Sequence, residues 1–248
     1  TYSSASNERL RRRSDPLLSG WRDTHVAVRG PAVAAFQAAF ASNWDGDDLS
    51  FTPDEFPACN APGPCNDVVA VLLSEGGNGQ ESPIYRAYLE AMRRAETRIW
   101  ITQAYFAPDK AFLNLLGDAA ARGVDVRLIV PGISDSAAIL HASRSRYGEL
   151  LKRGIRIYET SGTFLHAKTA VIDGIWSTVG SSNLDYRSFL HNDEVNAIIM
   201  GQYFGRQMEA QFELDLNETR EVTLDDWKRR PFFDRVKEFF SWTVEYWL

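Results

Sequence analysis

The chain has 248 residues, 24% charged and 44% hydrophobic, with 27 Lys and Arg against 33 Asp and Glu for a net charge of -6. That composition excludes collagen-like, low-complexity and wholly disordered classes and supplies ample apolar material for a core. No uncharged run reaches the roughly 18 apolar residues of a spanning helix, and the acidic balance argues against gripping nucleic acid as the main task.

The chain opens at Thr1 on TYSSASNERLRRRSD, which reads as the interior of a longer polypeptide, with no signal peptide visible. Arg11, Arg12 and Arg13 form its one basic cluster, read as a solvated loop or an anion or membrane contact. Residues 24–28 are expected as a strand and 31–42 as a helix opened by Pro31, which a first turn tolerates. Residues 43–66 read as a loop. Within it, the spacing of Cys59 and Cys65 permits a small disulfide, which would favour an oxidising compartment such as a periplasm. Strands follow at 68–73, 98–105, 124–130, 155–159, 167–172, 176–179 and 194–200. Helices are expected at 83–97, 110–122, 136–153 and 202–216, the first with Ile84, Tyr88, Ala91 and Met92 as its apolar positions. The fold class is α/β, a mixed central β-sheet flanked by helices on both faces. The end of the chain, 231–248, carries Phe232, Phe233, Phe239, Phe240, Trp242, Tyr246 and Trp247. It reads as a docked terminal helix or as a contact with a membrane interface, where aromatic side chains are favoured.

The segment that carries chemistry runs from Leu165 to Gly174. Strand side chains alternate faces, so His166 and Lys168 share one face, continued by Ala170 and Ile172. A histidine beside a fixed positive charge suits an anionic substrate such as a phosphodiester. Asp173-Gly174 reads as a hairpin turn, which makes Asp173 structural. The return strand leads to Gly180-Ser181-Ser182-Asn183, where glycine admits a ligand close to the backbone and Ser and Asn offer neutral hydrogen-bond partners. Tyr105, at a strand end, lines a substrate pocket or fills the core.

His-x-Lys, four residues, Asp, six residues, then Gly-Ser-x-Asn resembles the HKD motif of the phospholipase D superfamily. The likeness extends to Tyr105-Phe106 with Pro108-Asp109, Arg122 to Val126, Pro131, Ser134-Asp135, Arg144-Ser145, Tyr147, Asn183-Leu184-Asp185, Arg187-Ser188 and Glu194-Val195-Asn196, arranged as in bacterial cardiolipin synthases. Trp21 to Val26 with Gly30-Pro31 is similar too. The resemblance implies a phospholipase D-like sandwich and two motifs whose histidines face one phosphorus. One is phosphorylated and the other protonates the leaving alkoxide, with no metal and no cofactor. His25, His141 and His191, the other three histidines, are not followed two residues later by Lys, so one motif is present.

An internal repeat accounts for this. Glu194 starts a strand, Gly201 ends it, and a helix with Phe204, Met208 and Phe212 follows; Asp23-Thr24-His25 starts a strand, Gly30 ends it, and a helix with Phe36 and Phe40 follows. Glu194 lies 28 positions after His166, and 28 positions before His25 falls before Thr1. The expectation is that residues 1–45 end a first half whose motif lies upstream, 46–67 link, and 68–248 form the second domain. The resemblance gives His166 as general acid, Lys168 and Asn183 as phosphate ligands, Ser181 beside them, and Glu194 as partner of a histidine. It puts His25 where it lines the site and makes Asp173 part of the named motif. The favoured function is phosphodiester transfer on phospholipids through a phosphohistidine, either phosphatidyl transfer as in cardiolipin synthesis or hydrolysis as in a phospholipase D, at a bacterial membrane surface on its cytoplasmic or periplasmic face. The missing half or a second chain would complete the site. The alternatives are a homodimeric nuclease and an incomplete fragment.

Overall fold

The structure, a computed structural model, describes residues 20–42, 67–77 and 81–230. The arginine cluster at 11–13, the Cys59–Cys65 pair and the aromatic segment 231–248 lie outside the described residues.

In chain order the elements are β1 (Trp21–Arg22), α1 (Ala32–Ser42), β2 (Val68–Ser74), α2 (Pro83–Arg94), β3 (Arg98–Gln103), β4 (Phe106–Ala107), α3 (Lys110–Ala121), β5 (Asp125–Pro131), α4 (Ala137–Lys152), β6 (Arg156–Thr160), β7 (Phe164–Leu165), β8 (Lys168–Ile172), β9 (Trp176–Gly180), β10 (Leu184–Asp185), α5 (Tyr186–Leu190), β11 (Glu194–Met200), α6 (Gln202–Leu216), β12 (Thr219–Val222) and α7 (Leu224–Arg229). Eight strands form one sheet in the order β12-β6-β5-β3-β8-β9-β11-β2. β3, β5 and β6 run parallel, as helical crossovers require, and the rest pair antiparallel.

Helix starts follow local chemistry. Ser82, Asp109 and Ser136 each accept a hydrogen bond from a backbone N–H of the first turn, with Pro83 directly after Ser82. Alternation along the strands then sorts side chains into two layers. On one face, Ile99, Ile101, Leu128, Ala170 and Ile172 meet Tyr88 and Met92 of α2, Phe112 and Leu116 of α3 and Leu150 of α4. On the other, Trp100, Ile129, Val171 and Val179 meet Met208 and Phe212 of α6. The expected mixed sheet with helices on both faces is therefore the observed one.

Several boundaries differ. The strand expected at 24–28 does not form a ladder. Pairing is confined to Trp21–Arg22, parallel to Phe164–Leu165, and residues 23–29 have no strand partner among the described residues. The helix expected to reach 97 stops at Arg94, because Ala95 turns to an extended backbone (ψ 130) that carries the chain into β3. The short elements β4, β7, β10, β12, α5 and α7 have no counterpart among the expected ones.

At the end of β9 the backbone passes close to β11. A Cβ on Gly180 would lie 2.1 Å from Asn196 Oδ1 and 2.5 Å from the Val195 carbonyl oxygen. Asn196 is fully buried and held by the Ser182 N–H and Thr178 Oγ1, so it cannot give way. Gly180→Ala should therefore lower stability by about 1–3 kcal/mol in urea denaturation.

Candidate active site

His166 sits in the link between β7 and β8. Its position is set from the N-terminal side, where the Trp21–Arg22 strand pairs with β7 and the His166 N–H donates to the Arg22 carbonyl at 2.8 Å. Arg22 is itself anchored by a two-pronged contact with Asp215 at the end of α6, 2.7 Å on each prong. This anchoring brings Asp23 Oδ2 to 3.0 Å from His166 Nδ1. Burial alone would raise the Asp23 carboxyl, but the hydrogen bond with His166, the Thr24 N–H and the charges of His166 and Lys168 hold it below the ordinary value. An ionised carboxylate only accepts, so Nδ1 carries the donated proton and Nε2 is the nitrogen open to chemistry. Trp21 packs 5.0 Å from the imidazole, and 36% of the His166 side chain remains exposed.

Lys168, the first residue of β8, is 7% exposed. Its Nζ donates to the His166 carbonyl at 2.5 Å. Burial pushes its pKa down to about 8, while Asp23, Glu194, Asp185 and Asp135 pull the other way.

The other expected residues fall into two groups. Asn183, Ser181 and Glu194 lie at the same end of the sheet. Ser181 Oγ donates to Glu194 Oε2, and the Ser181 N–H and the Val195 carbonyl close the pair at 3.0 Å. Glu194, 8% exposed, also accepts from Asn192 Nδ2 at 3.2 Å. Asn183 Oδ1 is buried with no hydrogen-bond partner among the described residues. Tyr105 is carried beside this loop by the β4–β10 pairing, with the Leu184 N–H on the Tyr105 carbonyl. Its hydroxyl donates to Asp135 at 2.5 Å, and burial followed by that carboxylate raises its pKa.

Asp173 belongs to the other group. It stands beyond the far end of β8, about 16 Å of strand from Lys168. Its carboxylate accepts the N–H groups of Glu96, Thr97 and Arg98 and the Thr97 hydroxyl, at 2.7–2.9 Å. It stitches the entry of β3 to the β8–β9 turn at a φ of 53 and does not reach the site. His25 is exposed on the segment that does not pair.

Two residues of this site have no role in the sequence pattern alone. Asp23 reads there as the start of a strand, and nothing local marks it as the partner of a histidine 143 positions away. Asp185, 3% exposed, stands within the motif without a role of its own. Burial raises it to about 6, against the Ser188 N–H that lowers it. Among the described residues no cluster of three or more His, Cys, Asp or Glu could hold a metal ion.

A family model described as a cardiolipin synthase, PLD-like domain, matches residues 88–216. The major cardiolipin synthase ClsA of Bacillus subtilis is 34% identical over 231 residues, covering 92% of this chain and 47% of that protein. Cardiolipin synthase A of Pseudomonas entomophila is 35% identical over 213 residues, covering 86% and 44%. The chain spans about half the length of the curated relatives it matches. Among solved structures, a phosphatidylserine synthase of Haemophilus influenzae aligns with a TM-score of 0.58 at 15% identity, covering 73% of this chain and 48% of that one. The phospholipase D family member Nuc of Salmonella typhimurium aligns at 0.53 and 19%, covering 63% and 99%. At these identities the structural likeness is one of fold.

Two outcomes follow from the geometry. The 15Nζ resonance of Lys168 should titrate near pH 8, and Asp23→Asn, by removing a carboxylate that favours the proton, should move the midpoint lower; a midpoint near 10 would contradict the burial. Asp173→Ala should cost about 3 kcal/mol in urea denaturation, because four hydrogen bonds to a carboxylate are lost.

Proposed function

The chain belongs to the PLD-like family of cardiolipin synthases, whose model spans over half of it, and we propose that it carries one half of a site for phosphodiester transfer between phospholipids. The observation that carries the reading is the His166–Asp23 pair with its Nε2 open, set against the buried ammonium of Lys168.

In this reading residues 1–45 end a first phospholipase D-like half, 46–67 link, and 68–248 form the second domain. A second histidine, brought by the other half or by a second chain, attacks the phosphorus of the donor lipid. A nitrogen–phosphorus bond forms as the bond to the headgroup oxygen breaks. His166, starting as the imidazolium with its Nδ1–H held by Asp23, delivers the Nε2 proton to the departing alkoxide. An acceptor hydroxyl then gives its proton back to His166, attacks phosphorus and releases the first histidine. Lys168 and Asn183 hold the phosphoryl oxygens, where charge develops, and Ser181 borders them. Aligned on the glycines that close the two units, Glu194 stands seven residues before Gly201 as Asp23 stands seven before Gly30, which suits it to orient the other histidine as Asp23 orients His166. His25 and Tyr105 line the approach. The chain acts at a membrane surface, where its phospholipid substrate lies. No described helix is long and apolar enough to cross a membrane.

The intact protein, incubated with phosphatidylglycerol vesicles and separately with DNA, should release glycerol from the lipid and leave the DNA uncut. His166→Ala should lower glycerol release about 10³-fold. DNA cleavage without glycerol release would instead favour a nuclease.

A further inference from the structure

Between α4, α7 and the β6–β12 edge lies a cavity of about 280 Å³, near the small end of ligand pockets. The proposed reaction uses none of its lining. Glu159, whose side chain is 8% exposed, forms its floor. Arg144 Nε binds Glu159 Oε1 at 2.9 Å, and Arg220 stands 3.6 Å from Oε2 with its side chain 70% exposed. One carboxylate thus faces two guanidiniums, and the second holds it loosely. Arg230 lies 4.0 Å over the Trp227 ring, which is seated on buried Tyr147 at 4.9 Å. The other acidic group in the lining, Asp226, accepts the Thr223 hydroxyl at 2.7 Å within its own helix cap.

The wall also contains His141, whose Nδ1 is buried and has no hydrogen-bond partner among the described residues. An imidazole in the lining can donate or accept a hydrogen bond, which adds to what the guanidiniums offer a bound anion. Guanidinium forks match phosphate oxygens in geometry and charge. The cavity's place in the fold fits as well. Glu159 lies near the C-terminal end of a parallel strand, where α/β sheets collect ligands, seven positions before His166.

We propose that this cavity is a second anion site that takes a phosphate-bearing group, either the headgroup phosphate of a phospholipid or free phosphate. It stands on its own lining and does not depend on the transfer reaction. The test uses the full chain carrying Lys168→Met, which silences the phosphate position beside His166. Inorganic phosphate is added in one arm, and short-chain phosphatidylglycerol below its micelle concentration in the other. The readouts are calorimetric affinity and the His141 imidazole resonance, assigned with His141→Asn. The expected result is a saturable shift of His141 in at least one arm, with affinity weakened about tenfold by Arg220→Gln, a substitution at an exposed side chain. The arm with the tighter binding identifies the source. A His141 resonance that stays still in both arms, or an affinity that Arg220→Gln leaves unchanged, overturns the proposal.

Discussion

An ammonium group taken out of water keeps its charge only where carboxylates stand close enough to offset the lost hydration. Lys168 is in that position, 7% exposed at the start of a central strand. The four carboxylates that sustain it come from separate parts of the chain. Asp23 arrives on the N-terminal strip, Asp135 on the turn before α4, Asp185 on the short β10, and Glu194 at the start of β11. The sheet order makes this convergence, because β8 lies next to β3 on one side and β9 on the other, with β11 one strand further. Much of what looks irregular at this end of the sheet, including the two-residue β4–β10 and β1–β7 pairs, serves to place those groups.

The N-terminal strip is held against the domain by its two ladder residues, by the ion pair with Asp215 and by Trp21 packed on Phe164 and the His166 ring. An exposed ion pair would contribute little, but here both partners are largely covered, with side chains 20% and 12% exposed, and the contact is two-pronged. It adds to the ladder in keeping Asp23 beside His166.

Much of the scaffold is legible in the amino-acid sequence. Residues 194–200 and 202–216 form the expected strand and helix to the residue, because their apolar spacing and the glycine between them are local signals. The His-x-Lys spacing likewise points to the site. Local pattern is silent where the deciding partner is distant. Asp23 finds its role only through pairing of its segment with β7, and the expected strand at 24–28 has no neighbour to pair with among the described residues. Two-residue strands leave no periodicity to detect. Asp173 sits inside the motif, yet its backbone contacts with 96–98 depend on how β3 meets the β8–β9 turn. The loop containing Asn183 is legible as polar, whereas the pairing of Glu194 with Ser181 depends on how β9 and β11 align.

The buried lysine also sets folding against function. Its pKa is near 8 in the folded chain and 10.5 in an unfolded one, so the folded state releases the proton first as pH rises. The native chain therefore gains stability between those values, and at neutral pH it bears a strain on the order of 3 kcal/mol for keeping the charge. A neutral side chain of similar length at 168 would relieve that strain. The sheet holds, at a buried point, a group that it would fold more readily without.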